Sequence, residues 1–234
     1  MNAKRSFALV FAAAALWAAA QAAPGAPAGA GQAPRKFLLF IDLRQNDVAG
    51  VGMSKTAALY FLESAVRDGD EAAFLTFSEI RGLQVREDLT PDRERIRKAI
   101  QSLAEVPGIP DEDLWSTPLS THNFLEETGD FAQDLGGMPG TKNVVFFTSG
   151  FPVYAYQGDR RFRELFDEMS RRFKDSQAPV FVVNALGHRA DWQAIEEKSD
   201  FVLKKLASIS GGQYFRDVAQ YRSIAQEIGK LAGE

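Results

Sequence analysis

Two rhythms of apolar and polar residues alternate along this chain. Short, wholly apolar runs recur at Phe37–Ile41 ("FLLFI"), Val144–Phe147 ("VVFF") and Val180–Val183 ("VFVV"). They are too short for helices and show no polar alternation, so they read as strands buried on both faces. Between them apolar residues fall at helical spacing. Ala58, Phe61, Leu62, Ala65 and Val66 mark a helix over Met53–Arg67. Ile96, Ala99, Ile100 and Leu103 mark another in "TPDRERIRKAIQSL", and Phe124, Phe131 and Leu135 a third near Thr121–Leu135. "RRFRELFDEMSRRFK", "SDFVLKKLASISGG" and Tyr221–Leu231 supply three more. "DGDEAAFLTFSE" gives a turn and a strand through Phe74 and Phe77, and "QYFRDV" a short edge strand. In "RGLQVREDLT", Leu83, Val85, Glu87 and Leu89 alternate with Gln84, Arg86 and Asp88, the pattern of a half-exposed strand. Its connection to the preceding strand is too short for a crossover helix, so the pair closes as an antiparallel hairpin. The pattern predicts an α/β fold with a mainly parallel, six-stranded sheet, one antiparallel edge strand and about six helices.

Local signals place several boundaries. Thr90 stands as an N-cap, with Pro91 at the first helical position and Asp92 at the positive helix end. Ser120 and Thr121 have the same capping chemistry before the next helix. Gly211 and Gly212 stop the helix before the last strand.

The first 23 residues do not belong to this pattern. Lys4 and Arg5 precede an apolar run, Ser6–Ala20, followed by small residues at "AQA" and "QAA". This is the layout of a signal peptide over residues 1–23. Residues 24–34, rich in Ala, Gly and Pro, form a linker with nothing to bury, and residues 35–234 are long enough for one domain with a sizeable core. The expected product is exported, periplasmic or extracellular, with no membrane insertion after cleavage. Loss of Lys4 and Arg5 takes the net charge from −4 to about −6, which argues against nucleic acid as a partner. The chain has no cysteine. Disulfides, thiolate metal sites, Cys nucleophiles and an N-terminal lipid on Cys are therefore excluded.

In open parallel sheets, ligands bind beyond the carboxyl ends of the strands, near the point where strand order reverses. The first strand ends in Asp42, followed by Arg44, Asn46 and Asp47; the fourth ends in Thr148 and Ser149. Ser120 and Thr121 open a helix expected at this same edge. Hydroxyl, carboxylate and amide oxygens of this kind suit a hard cation such as Mg²⁺. A strand-terminal Asp also serves simply as acceptor for the amides of its own turn. Trp115, Tyr154 and Tyr156 lie in two loops of the same edge, where aromatics anchor protein partners or pack locally. Catalytic motifs are missing. "DVAGVGMSK" meets neither phosphate-loop spacing. A serine hydrolase built on Ser149 would need small residues two positions to either side, where Phe147 and Phe151 stand. His122 and His188 read as exposed loop residues and are too far apart to make a zinc site by spacing.

The strand ending in Asp42, the hairpin, "KNVVFFTSG" and "LKKLASISGGQYF" together resemble the von Willebrand factor type A (VWA) domain, most closely the divergent branch in exported bacterial proteins of the acidobacterial type. The resemblance covers nearly all of Arg35–Glu234. It implies a Rossmann-like three-layer α/β sandwich and a non-enzymatic adhesion or scaffold module, which binds an unidentified protein or peptide through its carboxyl-edge loops. Asp42, Arg44, Asn46, Trp115, Thr121, Ser149, Tyr154 and Tyr156 would form that site. The family's metal-ion-dependent adhesion site uses Asp-x-Ser-x-Ser, a mid-chain Thr and a later Asp. Here Asp42 matches the first acid, Arg44 and Asn46 replace the two serines, Thr121 is the candidate Thr, and Ser149 stands for the last Asp. The resemblance therefore implies a degenerate site without a metal or other cofactor, with Arg44 or backbone amides compensating Asp42. An intact site would use Asp42, Asn46, Thr121 and Ser149 to hold Mg²⁺ or a similar ion.

Overall fold

The structure is a computed structural model that describes residues 34–44, 48–104, 118–151, 153–185 and 193–233. The expected signal peptide, the linker up to residue 33, Asn46, Trp115 and His188 lie outside the described residues. Six strands form one sheet: β1 (Lys36–Asp42), β2 (Glu71–Ser78), β3 (Gly82–Thr90), β4 (Lys142–Thr148), β5 (Val180–Asn184) and β6 (Tyr214–Phe215), in the order β3-β2-β1-β4-β5-β6. All neighbours are parallel except β2 and β3, which form the antiparallel edge hairpin. The α/β fold expected from the sequence is the one observed. β1 is central because its run is apolar on both faces and is buried from Phe37 onward. The strand order reverses between β1 and β4.

Helices α1 (Val48–Ser64), α2 (Arg93–Gln101), α3 (Pro118–Asp134), α4 (Val153–Gly158), α5 (Arg160–Asp175), α6 (Gln193–Ser210) and α7 (Tyr221–Leu231) cover the sheet. On one face Phe37, Leu39, Ile41, Val145, Phe147 and Val183 pack with Phe61 and Leu62 of α1, Ile96 and Ile100 of α2, and Ile224 and Ile228 of α7. On the other, Phe40, Val144, Phe146 and Val180 meet Phe124 of α3, Met169 and Phe173 of α5, and Leu206 of α6.

Three boundaries differ from the sequence reading. α1 begins at Val48 rather than Met53: burial of Gly50, Val51 and Ser54 outweighs the poor helix propensity of its two early glycines. The cap of α2 is Asp92, whose carboxylate accepts from the amides of Glu94 and Arg95. Thr90 instead remains in the sheet opposite Ala72, and its hydroxyl accepts from the Asp92 amide. α3 starts at Pro118, so Ser120 and Thr121 sit inside its first turns instead of capping it. The stop after α6 is as expected, with Gly211 at φ +88°. Gly212 then passes so near Val180 that a Cβ there would lie 2.1 Å from its carbonyl oxygen.

The chain enters the sheet through a buried residue, Arg35. Its amide donates to Asp70 Oδ1 at 3.0 Å, and its guanidinium bonds the Asp70 carboxylate, the Gly229 carbonyl of α7 and the Ala65 carbonyl after α1, the last two at 2.8 Å. Burial alone would raise the Asp70 carboxyl. The Arg35 side chain and the Arg67 and Arg35 amides together hold it below the usual value.

Candidate functional site

Side chains alternate between faces along a strand. Ile41, Phe147 and Val183 belong to the core shared with α1 and α7. The next residues, Asp42, Thr148 and Asn184, therefore turn to the α3–α5–α6 face, where each ends its strand. The register pairs Ile41 with Phe147 and Thr148 with Asn184, so the three polar residues form a row along the carboxyl edge. All three are buried, Asp42 and Thr148 at 0 % exposure.

Arg44 lies over Asp42. Its amide and Nε donate to Asp42 Oδ1 at 3.1 and 3.0 Å, and Nη2 donates to Oδ2 at 2.8 Å. The Arg44 side chain is 0 % exposed. Its guanidinium carbon stands 3.7 Å from the centre of the Phe124 ring and 5.5 Å from those of Phe77 and Phe151, so the charge is balanced by one carboxylate and by aromatic faces. Thr148 Oγ1 donates to Asp42 Oδ2 at 3.0 Å and accepts from the Gly150 amide at 3.1 Å. Arg44 Nη1 is buried without an acceptor.

A divalent ion needs several oxygen ligands and little competing positive charge. Here both oxygens of Asp42 already accept from Arg44, a side chain that keeps its charge at any ordinary pH. Among the described residues, no three His, Cys, Asp or Glu side chains cluster to hold a metal. Among the described residues, this donor set does not fit a divalent cation.

The other expected residues are placed less centrally. Thr121 is buried in α3, one turn before Phe124, and Ser149 is buried just after Thr148. Tyr154 and Tyr156 sit in the short helix α4, where the sequence reading placed a loop. Tyr156 is half-buried and packs edge-on against Phe162, Phe166 and Phe201, with its hydroxyl on Lys205. Its contacts are with α5 and α6. His122 is in α3 rather than in a loop, and its Nε2 meets Asp159 Oδ2 at 2.7 Å. Asp159 also accepts from the Phe162 amide as the cap of α5, and that bond, ahead of His122, holds its carboxyl below the usual value. His122 is thus engaged with Asp159 and not with Ser149.

The sequence places Thr148 among the oxygen donors of this edge, and the structure makes it a hydrogen-bond partner of Asp42. Phe124 was counted as helix core, and nothing in its spacing marks it as the platform for a guanidinium. A second buried network, at the ends of β5 and β6, also went unread. Asn184 donates to Asp200 at 3.4 Å and to the Tyr214 hydroxyl at 3.3 Å, and that hydroxyl bonds Asp200. Burial, and then Asp200, push the Tyr214 phenol well above its ordinary value.

No family model matches the chain, and no curated protein does. Solved structures do. The vWF domain of the type V pili tip protein Mfa5 from Porphyromonas gingivalis is 11 % identical at a TM-score of 0.54, covering 86 % of this chain and 97 % of that one. BatB from Bacteroides thetaiotaomicron, a conserved hypothetical protein, is 11 % identical at 0.51, covering 86 % and 100 %. Proximal thread matrix protein 1 from the mussel byssus, solved with a zinc-occupied MIDAS motif, is 14 % identical at 0.53, covering 86 % of this chain and 48 % of that one. This chain thus spans about half of the mussel protein. At these identities the likeness is one of fold.

Proposed function

This chain has the fold of a von Willebrand factor type A domain, and on that premise we propose that it is an exported, non-enzymatic interaction module with a degenerate metal site. It captures a protein or peptide through the loops at the carboxyl edge of the sheet. The observation that carries this reading is the Arg44–Asp42 pair, which puts a guanidinium on the carboxylate at the β1/β4 switch point. The neighbours support it in kind: one is a pili tip domain, and another holds zinc at its MIDAS motif. Here the positive charge is covalently part of the chain, so capture needs no divalent ion. The edge also carries Ile80, 94 % exposed at the tip of the β2–β3 hairpin. Asn46, Trp115, Thr121, Ser149, Tyr154 and Tyr156 complete the proposed surface around Asp42 and Arg44. The layout of the first 23 residues supports export, periplasmic or extracellular.

Affinity capture from the native cell envelope, with and without chelator, tests this. Capture should survive chelator and fall in Trp115→Ala and Ile80→Asp. Capture abolished by chelator, or calorimetric binding of Mg²⁺, Mn²⁺ or Ca²⁺ tighter than about millimolar that disappears in Asp42→Ala, would overturn the metal-free reading. Turnover lost in Ser149→Ala would overturn the non-enzymatic one.

A further inference from the structure

The network at the ends of β5 and β6 is closed on one side and open on the other. A carboxylate has two oxygens, each with two lone pairs to offer. Asp200 Oδ1 is served from within the fold, by the Tyr214 hydroxyl and by Asn184 Nδ2 at 3.4 Å. The Tyr214 phenol, held well above its ordinary value, keeps its proton and remains the donor. Asp200 Oδ2 has no donor within hydrogen-bond range, since Lys204 Nζ stands at 3.8 Å and Arg216 Nε at 3.7 Å. It is not enclosed either. The buried side-chain atoms without a partner, among the described residues, are Arg44 Nη1 and Thr128 Oγ1. The unmatched Oδ2 therefore lies where solvent reaches the Asp200 side chain, 6 % of which is exposed. The rim is open: β6 is the last strand of the sheet and two residues long, and the side chains of Lys204 and Arg216 are 61 % and 53 % exposed.

A ring completes the surroundings. Residues three and four apart are neighbours on a helix surface, so Lys204 stands beside both Asp200 and Phe201 on α6. Phe201 is 58 % exposed and is steadied by a T-shaped contact with Tyr156 at 5.7 Å. The chemistry of an occupant follows from these groups. An anion would serve the two cations but face Asp200 and leave Oδ2 unmatched. A cation would serve Oδ2 but face Lys204 and Arg216. A hydroxyl serves both sides with one atom, because it donates one bond and accepts others. The gaps of 3.8 and 3.7 Å are too long for direct bonds and short enough for one oxygen to bridge. A pyranose sugar carries several such hydroxyls on a ring whose C–H groups form an apolar face, which suits an exposed aromatic ring beside a few fixed polar groups. We propose that Asp200, Lys204, Arg216 and Phe201 form a binding site for a neutral pyranose. One sugar hydroxyl donates to Asp200 Oδ2 and accepts from Lys204, and the C–H face lies on Phe201. Tyr214 and Asn184 are positioning residues that hold Asp200 from behind. The site is separate from the Asp42–Arg44 cluster and does not depend on the capture reading.

The test is an NMR titration of the amide and aromatic resonances of the mature chain. The probes are the methyl pyranosides of glucose, galactose, mannose and N-acetylglucosamine, added separately, with acetate and phosphate as anion probes at matched ionic strength. At least one pyranoside should shift the Phe201 ring saturably, with a Kd of about 1–10 mM, as befits a small ligand with few contacts. Asp200→Asn should weaken that sugar at least about tenfold, the loss of a hydrogen bond to a charged group. Phe201→Ala and Lys204→Met alter exposed positions and should each weaken it at least about fivefold. If Asp200→Asn does not fold, these two variants carry the test. No shift with any of the four sugars up to about 100 mM would overturn the proposal. Sugar binding unchanged in Phe201→Ala would also overturn it, by placing the sugar elsewhere. So would an acetate or phosphate response stronger than that of every sugar, which would make the rim an anion site.

Discussion

Replacing Arg44 by Met removes the guanidinium while leaving a flexible apolar stem under Phe124. Asp42 then keeps the Thr148 hydrogen bond and loses the two side-chain bonds from Nε and Nη2. Breaking a buried ion pair from one side costs about 3–5 kcal/mol, because the remaining charge stays buried. Two further effects have opposite signs. The cation–π contact on Phe124, worth about 2 kcal/mol when desolvated, is lost. The unmatched Nη1, which costs about 1–3 kcal/mol, disappears with it. They roughly offset, so the expectation for Arg44→Met stays at about 3–5 kcal/mol of destabilisation. For a domain of this size that corresponds to a fall in Tm of roughly 6–20 °C. Adding Asp42→Asn removes the stranded charge. The double variant should therefore be more stable than the two single changes predict by at least about 2 kcal/mol of coupling. Urea unfolding of the four proteins at neutral pH, compared at equal m-value, measures this. Additive single changes, or an Arg44→Met variant within about 1 kcal/mol of wild type, would refute the idea that the pair is an energetic unit.

Thr148→Val should cost about 1–2 kcal/mol by removing a donor to Asp42 and an acceptor for the Gly150 amide, while Thr148→Ser retains both; thermal melts of the two distinguish them. The Asp70 carboxyl is held below its unfolded value, chiefly against burial, by Arg35 and two amides. Its contribution is therefore fully present above the unfolded value and is lost as pH falls through the lower, folded one. The stability difference between wild type and Asp70→Asn should be constant near neutrality and shrink on acidification; a difference that grows toward acid would contradict the assignment. Gly212→Ala must displace the β5 backbone, since its Cβ would lie 2.1 Å from the Val180 carbonyl, and should cost at least about 1–3 kcal/mol. Gly211→Ala, strained only through its φ of +88°, should cost about 1 kcal/mol.

The sheet was legible because its central strands are apolar on both faces and one hairpin connection is too short for any other closure. Those are period and length arguments, which tertiary context rarely overturns. The beginnings of α1 and α3 were misjudged because glycine and hydroxyl side chains have more than one use, and burial decided among them. Asp42 and Arg44 were legible as a pair, two residues apart at a strand end with opposite charges. Thr148 and Phe124 come from segments more than 75 residues away, and only the strand register and the α3 packing bring them to the same carboxylate. Arg35 was read as the first residue of a domain, with no local sign that Asp70, Ala65 and Gly229 would converge on it.

That convergence has a mechanical side. The N-terminal segment joins β1 at Lys36, and the Asp42 edge lies at the opposite pole of the same strand. A pull between that segment and a partner held at the edge would run lengthwise along the central strand. The ladders to β2 and β4 on either side would then be loaded in shear, so that their hydrogen bonds share the force instead of parting one by one. Arg35 is the lock at the loaded end, bolting the strand's entry to α7, to the end of α1 and to the turn before β2. In force spectroscopy Arg35→Ala should lower the rupture force for that pulling direction more than for a pull on the C-terminal helix; equal losses in both directions would show that the residue bears no directional load.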